Sequence, residues 1–101
     1  MGFTANDDMV EEQLPLTLQA IAEGNEAVIE EDQITSIEQK KLGKAKTTVT
    51  FEDMSSCDIV SGDNGDMIVI KKHVGNALRI GPLEKDVAAR AHALIMKLWK
   101  G

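Results

Sequence analysis

A change in hydrophobic period at residues 81–82 constrains the fold of this chain more than any other feature of its sequence. Before Gly81-Pro82, apolar residues recur at alternate positions in short runs, which is the spacing of strands with one buried face. Beyond this point they recur at every third or fourth position, the spacing of an amphipathic helix of about four to five turns. Pro82 is expected in the first turn of that helix, whose apolar stripe comprises Leu83, Val87, Ala91, Leu94, Ile95 and Leu98.

Seven short strands are predicted ahead of the helix. In the first, Leu14, Leu16 and Leu18 alternate with polar positions, although a short helix from Pro15 to Glu23 is the alternative for the same segment. Pro15 suits a strand at the edge of a sheet. The other six strands are expected at residues 27–29, 34–39, 47–52, 57–60, 67–70 and 77–80.

Two hairpin turns are predicted between these strands. A lysine-rich turn at Leu42-Gly43 joins the third strand to the fourth. The pair Asn64-Gly65 lies between the fifth and sixth strands, and it would supply the positive φ angles of a tight turn.

These elements predict an α+β domain: a small antiparallel, strongly curled sheet or partly open barrel of about six to seven short strands, with one C-terminal amphipathic helix packed on it. The order of elements resembles the pleckstrin-homology-like barrel, in which a C-terminal helix caps seven strands. This resemblance concerns architecture and implies no activity. We expect residues 1–12 to form a flexible acidic arm and residues 13–101 a single domain, a length that supports one core without a metal or a disulfide.

The charge of the chain is unevenly distributed. The net charge is −6, and the first 32 residues contain nine carboxylates and no Lys or Arg. The remaining residues carry eleven basic groups against eight acids, so the acidity belongs to the first third. A local cationic cluster stands apart at the predicted turn and consists of Lys40, Lys41, Lys44 and Lys46.

The residues that could support catalysis or metal binding are few. With a single cysteine, Cys57, the chain can form no internal disulfide and lacks the Cys and His sets of zinc sites. Cys57 is expected to be a small buried hydrophobe, and His73 is the one imidazole that could activate it. The turn at residues 62–66 lacks the ligand spacing of a calcium loop. We therefore expect no enzyme activity, and no catalytic, cofactor-binding or metal-binding residues.

A cytoplasmic location is expected, because the first residues lack the basic and apolar segments of a secretion signal and no apolar run approaches the length of a membrane span. Membrane association and direct nucleic-acid binding are not expected, since basic and aromatic residues are scarce. Size and composition suit a bacterial or phage accessory protein.

The remaining function class is a small interaction or regulatory domain that binds a protein partner or itself, as a homodimer. Contact is expected through an open sheet edge and through a second apolar line of the helix formed by Ala89, Ala93 and Met96. Trp99 adjoins the main stripe, where it either anchors the partner or fills the core. One alternative is an acidic decoy, in which residues 7–32 occupy a basic nucleic-acid-binding protein. A second alternative is an anion or lipid head-group binding module that uses Lys40, Lys41, Lys44 and Lys46.

Overall fold

A computed structural model describes residues 14–101, so the predicted arm at residues 1–12 lies outside the described residues. A 3₁₀ turn, Phe51–Asp53, separates the first four strands from the last three. The strands are β1 Leu16–Gln19, β2 Glu26–Ile29, β3 Gln33–Lys40, β4 Gly43–Thr50, β5 Met54–Gly62, β6 Gly65–Lys72 and β7 Leu78–Leu83, and the C-terminal helix α1 is Lys85–Lys100.

The seven strands form two antiparallel sheets. The first has the order β1-β2-β3-β4 and the second the order β5-β6-β7, so each strand pairs with its neighbours along the chain. The predicted α+β class, with seven strands and a C-terminal helix, is confirmed. The predicted strongly curled sheet or partly open barrel is wrong, because the chain leaves the first sheet at the 3₁₀ turn and no strand pairing joins β4 to β5 or β1 to β7 within the described residues.

The first predicted segment is a strand and not the alternative helix. Leu16, Thr17, Leu18 and Gln19 pair with β2, and β1 forms an edge of the first sheet directly after Pro15. The leucine positions are half-buried while Thr17 and Gln19 are exposed, as the alternation predicted.

The helix begins three residues later than predicted. Gly81 and Pro82 belong to β7, and the Pro82 carbonyl accepts a hydrogen bond from the Ile21 N–H at 2.7 Å. Leu83 is buried as the last residue of β7, so its apolar character belongs to the strand, and α1 starts at Lys85. Pairing of the chain with residues distant in sequence therefore overrides the preference of proline for a first helical turn.

Both predicted hairpins are present. Two-residue turns connect Lys40 to Gly43 and Gly62 to Gly65. The expected positive φ at Asn64 is wrong, because no non-glycine residue in the described chain has one. Gly65 alone takes that conformation at this turn, with φ of +127°, since it lies where the backbone re-enters the strand.

The core lies between the two sheets and beneath α1. The helix packs on β5 and β6, while β7 lies against β2, β3 and β4. A buried hydroxyl also joins the sheets: Ser36 Oγ donates a hydrogen bond to the Arg79 carbonyl at 2.7 Å. The buried apolar residues of this core include Ile29, Ile34, Val49, Ile68, Ile70, Ile80, Ala88, Leu94 and Ile95.

Alanine substitutions at two hairpin glycines separate the cost of backbone strain from the cost of steric crowding. Gly43 has a φ of +107° and open space around an added Cβ, so we expect Gly43→Ala to lower the free energy of unfolding by about 1–3 kcal/mol through backbone strain. A Cβ on Gly65 would also lie 2.8 Å from the Leu83 carbonyl oxygen. Gly65→Ala should therefore cost clearly more in urea denaturation, and equal losses for the two variants would contradict the packing of this turn on β7.

Candidate interaction surface

The two sheets of the described chain have four edges, and three of them are protected. β1 has only four residues and follows Pro15. β4 carries Lys44 and Lys46, which discourage pairing with another strand. β7 faces the first sheet, where its Arg79 carbonyl accepts a hydrogen bond from Ser36.

The fourth edge, β5, lacks these protections. It has nine residues with neither proline nor lysine, and Asp58 is its one charged residue. It also exposes two large apolar side chains, Ile59 by 36% and Val60 by 54%. A long, apolar edge of this kind is a template for a further strand.

The directions of the β5 backbone groups follow from its register with β6. Gly62 and Gly65 close a two-residue turn as a hydrogen-bonded pair, and such pairs alternate along an antiparallel ladder. The alternation turns the N–H and C=O groups of Cys57, Ile59 and Ser61 away from β6. The Cys57 carbonyl agrees with this assignment, because it bonds to His92 Nε2 of the helix at 3.0 Å.

This contact places one flank of α1 along the β5 edge. A carbonyl oxygen only accepts hydrogen bonds, so Nε2 of His92 must carry the proton. At about 100° per residue, Met96, Ala89 and Ala93 follow His92 around the helix, away from the buried stripe. The flank of α1 beside the β5 edge therefore carries His92 and Met96, whereas Ala93, about 100° round the helix from His92, lies nearly opposite the buried stripe.

The four predicted interface residues differ in exposure. Ala89 and Ala93 are exposed, whereas Met96 and Trp99 are half-buried and pack against the core. The Lys100 ammonium also covers the Trp99 ring, with Nζ 4.5 Å from the ring centroid. The exposed part of this line is therefore a surface of small side chains.

Cys57 is buried, as predicted, and its thiol is a weaker acid than that of an exposed cysteine. Burial raises the pKa of its thiol from 9.0 to about 11, and the neighbouring Asp58 carboxylate adds to the increase. The thiol is therefore protonated at neutral pH. His73 lies exposed and donates its backbone N–H to the Asp53 carbonyl at 2.9 Å, while His92 contacts the backbone of Cys57 from 35 residues away.

The four lysines of the predicted anion site do not share one face. Lys44 and Lys46 lie on one face of β4, whereas Lys40 lies on the opposite face of the hairpin and pairs with Glu38 at 3.5 Å. Leu42, at the tip between them, is 98% exposed. The hairpin therefore presents separate ammonium groups around an apolar tip.

The carboxylates in the described part of the predicted acidic decoy are divided between the two ends of β3, with Glu26 opposite Ile37 and the others of this strand pair before Gln33. Glu31 and Asp32 are exposed in the turn before β3, about 26 Å along the strand from Lys40. Together with Glu52 they border an open cleft of about 400 Å³ that Phe51 and Leu98 also line. Residues 7–13 of the predicted decoy segment lie outside the described residues.

Within residues 14–101, no group of three or more His, Cys, Asp or Glu side chains is arranged to hold a metal ion. In the same part of the chain, no helix has the length and apolarity required to cross a membrane. Comparison of the chain with family models, curated proteins and solved structures gives no significant match.

The raised pKa of Cys57 predicts slow alkylation of the folded protein. At pH 8 a thiol of pKa about 11 holds roughly 100-fold less thiolate than one of pKa 9.0, and burial slows access further. We expect iodoacetamide to modify the native chain at least roughly 100-fold more slowly than the chain unfolded in urea. Comparable rates, followed by mass spectrometry, would show an accessible and ionised thiol instead.

Proposed function

We propose that this chain is a small, non-enzymatic protein-interaction domain that docks through the β5 edge and the adjoining flank of α1. The observation that carries the proposal is the contrast between β5 and the other three edges. Proline, lysines or the neighbouring sheet protect those edges, whereas β5 keeps outward backbone groups and exposed apolar side chains.

The chemistry of docking follows from the two parts of this surface. An extended segment of a partner would exchange backbone hydrogen bonds with Ile59 and Ser61 and cover the exposed Val60 side chain. Met96 is the half-buried apolar side chain of α1 beside the edge, and Ala89 and Ala93 lie further round the helix. Homo-oligomerisation through this surface is part of the proposal.

The candidate nucleophile and bases support a non-enzymatic role. The Cys57 thiol is buried and protonated at neutral pH. The His92 imidazole donates to the backbone carbonyl of Cys57 and so holds helix and strand together. These groups act in the packing of α1 on the second sheet.

Selection of binding peptides tests the proposal without a known partner. We expect a library of displayed random peptides to yield binders with β-branched residues at alternate positions, since these fit a strand laid along an edge. Val60→Lys should weaken their binding by at least about tenfold in calorimetry, because it places a charge at the centre of the edge.

The matched control is Thr17→Lys, which adds the same charge at an exposed position of β1, an edge strand of the first sheet. This variant should bind the selected peptides as the wild type does. Peptides that bind the wild type and Val60→Lys equally, or a monomeric wild type for which no binder can be selected, would contradict the proposal. Circular dichroism of both variants verifies that they are folded.

A further inference from the structure

The hydrogen bond from His92 limits which part of the β5 edge is free. The Cys57 carbonyl is already occupied, so the outward backbone groups available to another strand are those of Ile59 and Ser61. Together they offer two N–H donors and two C=O acceptors, separated by Val60. This pattern is complementary to itself, since the same four groups on an antiparallel strand can satisfy it.

Only one two-fold arrangement pairs all of these free groups. With the two-fold axis at Val60, Ile59 of each copy lies opposite Ser61 of the other copy. These two residue pairs form four hydrogen bonds. An axis at Ile59 would instead require the Cys57 carbonyl that His92 holds, and an axis at Asp58 would oppose two carboxylates. With the axis at Val60, Asp58 lies opposite Gly62 and meets no like charge.

The position of α1 fits the same axis. The helix packs over β5 and β6, and neighbouring strands are about 4.8 Å apart, so two helices related by this axis would lie roughly 10 Å apart. That separation is close to the 8–10 Å of packed helices. The flank that would meet its copy carries His92 and Met96, both half-buried, and Ala89 lies at its outer margin, about 60° round the helix from His92.

We propose that the occupant of the β5 edge is β5 of a second copy of this chain, paired antiparallel about a two-fold axis at Val60. This inference rests on the proposed function and identifies its partner. The two three-stranded sheets join into one six-stranded sheet, and the exposed Val60 side chains of the two copies lie directly opposite each other.

Cysteine cross-linking tests this register of β5 against β5 of the second copy. In a non-hydrogen-bonded antiparallel pair the Cα atoms are about 4.5 Å apart, a separation that a disulfide accommodates. With oxidised glutathione as the electron acceptor, Val60→Cys should form a disulfide-linked dimer at least about tenfold faster than Asp58→Cys. Asp58 is the matched control, because it is exposed on the same face of β5. The wild type, whose Cys57 is buried, should form no such dimer.

Light scattering after size-exclusion chromatography completes the test. The wild type should elute at twice the monomer mass, and Val60→Lys should shift it to the monomer. Faster cross-linking of Asp58→Cys than of Val60→Cys would overturn the register. A monomeric wild type whose edge still binds selected peptides would overturn self-pairing while leaving the interaction function intact, and a monomer that binds no peptide would overturn both.

Discussion

Burial of the second sheet by α1 is the contact on which the arrangement of the whole surface depends. Ala88, Ala91, Leu94 and Ile95 of the helix are buried in the core with Ile68 and Ile70 of β6. An antiparallel sheet of three strands has little stability with its apolar face in water, so this packing is required for β5, β6 and β7 to persist. It also brings the flank of the helix to the outer side of β5.

The sheet edges differ in how well they are protected from pairing with another strand. A chain that folds as two separate meanders has more edges than a closed barrel, and each edge presents backbone groups that another strand can pair with. Pro15, Lys44 and Lys46 protect the first sheet, and contact with β2, β3 and β4 covers β7. His92 protects one carbonyl of β5 and leaves the remainder of that edge open. The open length is therefore bounded by a side chain of the helix and by the turn at Gly62.

Much of the fold was predictable from local patterns. Alternating apolar residues, short β-branched runs and turn signals located all seven strands, and the chain after Glu84 is helical as its period of 3.6 predicted. The exposed helix line at Ala89 and Ala93 was also predictable, because the stripe that must be buried determines which side remains outside. Pro82 was placed in the wrong element, since its pairing partner Ile21 lies 61 residues away in the chain.

Local sequence patterns were sufficient to predict the number of strands, the C-terminal helix, the buried face of each and the burial of Cys57, because these depend on the periodic burial of side chains within one segment. The tertiary structure alone decided that the strands divide into two sheets, that His92 meets Cys57, and that β5 is the open edge. Each of these depends on which distant backbone groups pair, and strands of similar composition do not specify their partners. Local periodicity states which side of a strand is buried, whereas only the assembled chain shows which of its edges is left without a neighbour.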